Sequence, residues 1–175
     1  MAIDWLCSCW PQDGRCLTSR GKPAPRPPGG GEEQCEPEAL RFAIAVEVAH
    51  KYQAVRWVDG ALGYLPHWLA DPQWFTPTLD QWRAFWQEVD RLGAWEWKPS
   101  YDPSPDVVID GISWGLEMEY RGSRVVTVGS NGYPGGRWDD MGPVFYRFLA
   151  AVDGLIGGRR FRGKGRRFWT GETRD

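Results

Sequence analysis

The 175-residue chain has few of the features that mark membrane or secreted proteins. Its longest apolar run, residues 43–49, is interrupted by Glu47 and is far shorter than the ~20 residues needed to span a bilayer. The N-terminus has neither a basic start nor an apolar stretch, so it does not match a secretory signal. The sequence therefore predicts a cytoplasmic protein with no membrane partner.

Histidine is equally scarce, since the chain contains only His50 and His67. Histidine is the side chain that ordinarily titrates near neutral pH, and neither residue lies in a pattern typical of a catalytic triad. The motifs of phosphate-binding loops, dinucleotide-binding folds, zinc proteases and nucleophile elbows are also missing. The sequence gives no support to these enzyme classes. It predicts no cofactor, leaves enzymatic activity uncertain and favours a non-enzymatic role.

Cysteine is confined to the first 35 residues, at Cys7, Cys9, Cys16 and Cys35. Zinc sites usually have two pairs of ligands, with two to four residues between the members of each pair. The spacing here departs from that pattern and favours unpaired thiols. A flexible loop would still allow the four sulfur atoms to reach one ion, so zinc binding remains the alternative.

Proline and glycine are concentrated in residues 11–37, which contain six prolines, three consecutive glycines and few apolar side chains. Such a segment buries too little surface to offset the entropy lost on ordering. The sequence therefore predicts a disordered Pro/Gly-rich leader over residues 1–36. A single domain is expected over residues 37–157, followed by a flexible basic tail over residues 158–175.

The first ten residues differ from the rest of the leader because they contain Trp5, Leu6 and Trp10. This apolar content sets residues 1–10 apart from the proline-rich segment that follows. We assign them no secondary structure, but they have the composition of a short peptide that can dock on a folded surface.

Three segments have patterns typical of helices. Residues 38–52 are apolar around most of the circumference of a helix and predict a largely buried one. Residues 79–92 combine a single apolar stripe with a capping-box pattern at residues 78–81 and Gly93 just beyond the end. The third helix is predicted at residues 144–156.

Other segments show the two-residue period of strands. Strands are predicted near residues 95–98, 107–110, 112–120 and 124–129. The clearest alternation is in residues 112–120, and Arg121–Gly122 indicates a hairpin turn after it. Antiparallel hairpins covered on one face by helices predict an α+β fold.

Carboxylates on the central strands give the main enzymatic alternative, with Asp110, Glu117 and Glu119 as its candidate catalytic residues. The pattern of Asp106 followed by Glu117 and Glu119 resembles the acidic pair of PD-(D/E)xK nucleases, which implies a metal-dependent hydrolase. It departs from that motif because position 119 is glutamate where lysine is needed. A solvated strand face explains the same residues.

The charge is divided unevenly, with a net charge of -2 for the whole chain. Residues 157–175 contain seven basic and two acidic residues, so the remainder has a net charge of -7. Clustered cations interleaved with aromatic groups suit phosphate contacts and base stacking. Nucleic acid is therefore a possible partner of the tail, and the candidate binding residues are Arg159, Arg160, Arg162, Lys164, Arg166, Arg167 and Trp169.

Residues 110–116 read Asp-Gly-x-x-Trp-x-Leu, and residues 129–134 read Gly-x-Asn-x-Tyr-Pro. This pair of motifs resembles a recurrent element of uncharacterised small bacterial proteins, over about residues 79–156. The resemblance implies an antiparallel sheet with a C-terminal helix in a bacterial protein, and it implies no particular activity.

Together these patterns favour a tryptophan-rich, non-enzymatic interaction module of the accessory or immunity type, which binds a protein partner. The metal-dependent hydrolase and the nucleic-acid-binding tail remain the alternatives.

Overall fold

The computed structural model describes residues 41–48, 51–58, 60–67, 69–102, 112–136 and 141–161. These residues form strands, two α-helices and a short 3-10 helix. In chain order the elements are β1 (Arg41–Val48), β2 (Lys51–Val58), β3 (Ala61–Leu65), β4 (Gln73–Phe75), α1 (Leu79–Arg91), the 3-10 helix (Ala94–Glu96), β5 (Ser100–Tyr101), β6 (Ile112–Tyr120), β7 (Ser123–Ser130) and α2 (Gly142–Leu155).

The described strands form one sheet in the order β4-β3-β2-β1-β6-β7-β5. Neighbouring strands are antiparallel except that β5 runs parallel to β7. Both helices contribute to a core with the large apolar side chains of one sheet face. The fold class predicted from the sequence, α+β with helices packed on one side of the sheet, is confirmed.

The helix predicted at residues 38–52 is wrong, because residues 41–48 form the central strand β1 and Lys51 begins β2. Phe42 and Ile44 join the core that the helices cover. Ala45 joins a second buried cluster, made of sheet residues. A strand that is buried on both faces is apolar throughout and loses the polar alternation that identifies a strand, so it imitates a buried helix.

The strand predicted at residues 95–98 is also wrong, because Ala94–Glu96 forms a 3-10 helix. Gly93, with a φ of 60°, turns the chain at the end of α1. Trp95 then stacks on Trp86, and its indole N–H donates a hydrogen bond to Asp90 Oδ1 at 2.7 Å. The predicted strand at residues 107–110 lies outside the described residues.

The elements predicted from local signals are confirmed. The predicted helices at residues 79–92 and 144–156 correspond to α1 and α2, and the predicted strands at residues 112–120 and 124–129 correspond to β6 and β7. The capping box is present, since the Gln81 N–H donates to Thr78 Oγ1 and the Thr78 N–H donates to Gln81 Oε1. Arg121 and Gly122 both have positive φ angles in the two-residue turn between β6 and β7.

The core extends beyond α2 to Phe161, whose side chain is fully buried. Its ring centroid lies 6.4 Å from that of Tyr64, and its main-chain N–H donates to Asp153 Oδ1 at 2.6 Å. The first residues after the predicted domain boundary at residue 157 therefore include part of the core. Phe161 is a packing residue, so it is not available for base stacking.

Trp114 lies at the centre of the aromatic core and is 2% exposed. Its ring centroid is 4.6 Å from that of Phe145, and its indole N–H donates to the Gly132 carbonyl at 2.8 Å. Leu116 and Met118 lie on the same face of β6 and are also buried. The face that the sequence analysis assigned to the core is the face that packs against the helices.

We expect Trp114→Ala to lower the free energy of unfolding by about 3–5 kcal/mol, because it leaves a cavity and an unpaired carbonyl at Gly132. Chemical denaturation followed by circular dichroism measures the change. Trp114→Phe is the matched control, because it retains most of the apolar volume and should destabilise the protein less than alanine. Full stability of the alanine variant would contradict a core role for Trp114.

Candidate binding groove

The two helices run antiparallel to each other. Gln81, near the start of α1, donates from Nε2 to the Gly154 carbonyl near the end of α2 at 2.8 Å. Glu88, in the second half of α1, pairs with Arg147 in the first half of α2, with 2.6 Å between Oε1 and the guanidinium nitrogen. These two contacts tie the helices together at points two helical turns apart.

Between these contacts the helices leave a groove of about 410 Å³. Each helix lines it with four residues at positions i, i+3, i+4 and i+7, the spacing that places side chains on one face. The residues that line it are Gln81, Ala84, Phe85 and Glu88 from α1, and Arg147, Ala150, Ala151 and Gly154 from α2.

The groove exists because its sides are made of the smallest side chains. Ala84 and Ala150 are exposed, Ala151 is half-buried, and Phe85 reaches down into the core. The large side chains of both helices, including Trp82 and Phe148, point to the sheet and are buried. Packing on the inner side is therefore tight while the outer side remains open.

The electrostatics of one end of the groove are set by Glu88, whose side chain is 16% exposed. Its carboxylate pairs with Arg147 at 2.6 Å and with Arg91 at 2.7 Å. One negative charge thus faces two guanidinium groups, and both arginine side chains are more than half exposed to solvent. This end of the groove has a local excess of positive charge.

The groove is suited to binding and offers no evident reaction chemistry. Gln81 and Glu88 are seven positions apart, which corresponds to about 10 Å along a helix. A space of this length, with alanine sides and an aromatic floor, accommodates one or two apolar side chains from another molecule. The cationic end adds a place for a carboxylate.

The carboxylates proposed for the hydrolase alternative are only partly described. Glu117 and Glu119 lie on β6 on the face opposite Leu116 and Met118, and Glu117 pairs with Arg124 at 3.2 Å. Asp110 lies outside the described residues. Within the described ranges, no three histidine, cysteine, aspartate or glutamate residues are grouped so that they can hold a metal ion.

Two of the seven predicted tail residues are described. Arg159 and Arg160 are exposed, and the guanidinium carbon of Arg159 lies 5.0 Å from the centroid of the Phe75 ring. The other five, Arg162, Lys164, Arg166, Arg167 and Trp169, lie outside the described residues, as do the candidate zinc ligands Cys7, Cys9, Cys16 and Cys35.

The motif at residues 129–134 has a structural role. Asn131, with a φ of 54°, forms two hydrogen bonds with the main chain of Ile112. The Ile112 N–H donates to Asn131 Oδ1 at 2.8 Å, and the Asn131 N–H donates to the Ile112 carbonyl at 2.9 Å. A Cβ atom on Gly132 would collide with the Tyr101 carbonyl. Tyr133 is buried, and this burial raises its pKa well above the usual value, with a smaller contribution from Tyr146. The motif residues therefore fix the connection after β7.

The groove residues were not identified from the sequence, although a signal is present. Ala84, Ala150 and Ala151 are small residues on the outer sides of two amphipathic helices. The sequence alone does not show that these two helices are neighbours, and without that adjacency there is no groove.

Comparison of the chain with protein-family models and with curated proteins finds no match. The resemblance to uncharacterised bacterial proteins therefore stays a prediction. Neither helix of the described part has the length and apolar character needed to cross a bilayer.

For the carboxylates of β6, we expect no micromolar binding of Mn²⁺ or Mg²⁺, because Glu117 already has Arg124 as its cationic partner. Isothermal titration calorimetry of the full chain measures this directly. Glu117→Ala is the matched control. Micromolar binding that disappears in this variant would support the hydrolase alternative.

For the tail, we expect any affinity for single-stranded DNA to be largely electrostatic, with a slope of log affinity against log salt of about -0.7 per phosphate contact. Removing residues 162–175 deletes the four clustered cations after Phe161, so it should flatten the slope by about 3 if all of them engage. Fluorescence anisotropy at several salt concentrations compares the full chain with a chain that ends at Phe161, which keeps the core intact. Equal slopes for the two proteins would show that the tail does not bind nucleic acid.

Proposed function

We propose that this protein is a non-enzymatic interaction module that binds a partner protein through the groove between α1 and α2. The observation that supports this most directly is the matched arrangement of the two helices. Each presents small side chains at the same spacing, and a polar contact joins the helices at each end of the gap. The result is a preformed, open recess on the outer surface.

The partner that fits this recess is an amphipathic helix with an apolar side chain next to a carboxylate. Recognition of a helix by an apolar groove is a recurrent mode of protein binding. The apolar side chain would occupy the space beside Ala84 and Ala150, above Phe85. The carboxylate of the partner would pair with Arg91 or Arg147, since the single charge of Glu88 does not neutralise both guanidinium groups.

The size of the groove also limits what it contributes to affinity. Burial of one leucine-sized side chain stabilises a complex by about 1.5–3 kcal/mol. A micromolar dissociation constant corresponds to about 8 kcal/mol. The partner must therefore add contacts around the groove, and exposed residues of both helices, such as Asp80 and Pro143, are available for them.

A module of this kind suits an accessory or immunity-type role, in which the protein acts by occupying a surface of its target. The groove needs no bound cofactor for such a role. The hydrolase and nucleic-acid alternatives rest on residues of which only a part is described, and the metal and salt titrations test them separately.

We expect peptides selected from a library of amphipathic helices to carry an apolar residue one helical turn from an acidic one. Their binding should be lost in Ala150→Arg, which fills the groove at an exposed position. Gln87→Arg is the matched control, because Gln87 is exposed on α1 but does not line the groove. Affinities are measured by fluorescence anisotropy, and circular dichroism checks that each variant is folded.

Arg147→Glu provides a second test of the binding site, because it reverses the charge of one residue at the cationic end of the groove. The acidic peptides should bind it at least tenfold more weakly. Equal binding of the selected peptides to the native protein, Ala150→Arg and Gln87→Arg would place the binding site elsewhere and contradict the proposal.

A further inference from the structure

The last turn of α2 contains an exposed glycine, Gly154, that lines the groove between the helices. Glycine is usually needed where φ is positive or where another part of the chain approaches closely. Gly93, Gly142 and Gly157 have positive φ angles, from 60° to 70°. Gly154 does not, and a Cβ atom on it would meet no heavy atom of the described residues within 4 Å, its own stretch of helix apart. The fold of the described residues therefore does not require glycine at position 154.

Glycine at this position also makes α2 less stable than alanine would, because glycine loses more backbone freedom on folding. The end of the helix does not depend on Gly154 either. Gly157 and Gly158 supply the positive φ angles with which helices commonly end, and the Gly158 N–H donates to the Asp153 carbonyl at 2.8 Å. A groove residue that weakens its own helix without serving the fold indicates a requirement set by the occupant of the groove.

We infer that the partner in the groove is a helix that places a small residue, such as glycine, alanine or serine, against Gly154. This inference rests on the proposed function, since it concerns the partner bound between α1 and α2. Two facing residues without large side chains allow the main chains of two helices to approach closely. At Gly154 the backbone itself is the contact surface, and its carbonyl is held by Gln81 Nε2 at 2.8 Å. A Cβ atom at position 154 would occupy the space that the partner's main chain requires.

The lining residues of α2 set the spacing of the partner's side chains. Arg147, Ala150 and Gly154 follow one another at three- and four-residue intervals, which correspond to about 10 Å of helix in total. A helix laid along the groove would meet them with three side chains, each about one turn from the next. The acidic residue lies at Arg147, the apolar residue over Ala150 and the small residue at Gly154. The inferred motif is therefore an acidic, an apolar and a small residue at successive turns of the partner helix.

Gly154→Ala should have opposite effects on stability and on binding. The new Cβ atom enters open space, so the midpoint of chemical denaturation should rise. The same atom should weaken the binding of the helical peptides selected against the native protein at least tenfold, as measured by fluorescence anisotropy on the full chain. Gln87→Ala is the matched control, because it places alanine at an exposed helical position that does not line the groove, and it should leave the affinity unchanged.

Variants of the selected peptides test the close approach directly. A change of the small residue to leucine should weaken binding to the native protein at least tenfold, because the larger side chain separates the two main chains. For peptides with alanine at this position, a change to glycine should restore about threefold of the affinity for Gly154→Ala, because it removes one of the two facing Cβ atoms.

Unchanged affinity of Gly154→Ala, together with loss of binding in Ala150→Arg, would overturn this inference and leave the proposed function intact. Equal binding of the native protein and both variants would overturn the inference and the proposed function together. A lower denaturation midpoint for Gly154→Ala would show that the fold itself requires the glycine, and it would also overturn the inference.

Discussion

The structure depends on the position of β1 at the centre of the sheet, because a central strand has to bury side chains on both of its faces. On one face Phe42 and Ile44 pack against the helices. On the other face Ala45 lies between Ala54 and Gly115. One face of β1 therefore belongs to the large aromatic core, and the other belongs to a smaller buried cluster in which Ala45 packs with Tyr52 and Leu65.

The aromatic core explains most of the described tryptophans without a ligand. Trp82 stacks on Trp86 with 5.7 Å between ring centroids, and Trp86 stacks on Tyr120 at 4.3 Å. Trp97 and Trp114 extend the same network to α2 through Phe145. Because these rings pack on one another, they are not available as a binding platform. The open groove between α1 and α2 is lined instead mostly by small and polar side chains.

The features that the sequence predicts correctly are those encoded by neighbouring residues. The capping box of α1 and the turn at Arg121–Gly122 each lie within four residues, and both are confirmed. The misassigned segments depend on distant partners. Residues 41–48 form a strand because β2 and β6 flank them, and Trp95 leaves the strand pattern because Trp86 provides a stacking partner. The groove belongs to the second class, since its two sides are more than fifty residues apart in the chain.

The strands at the two ends of the sheet, β4 and β5, are only three and two residues long. An edge strand presents unpaired backbone N–H and C=O groups, and long, flat edges recruit strands from other molecules into fibres. Here the longer strand β7 is covered by β5 only at Val128 and Gly129, and its neighbouring stretch carries the charged Arg124. Short edge strands and a charged flank give the sheet of the described residues little opportunity to grow by edge-to-edge pairing, even though its interior is rich in apolar and aromatic groups.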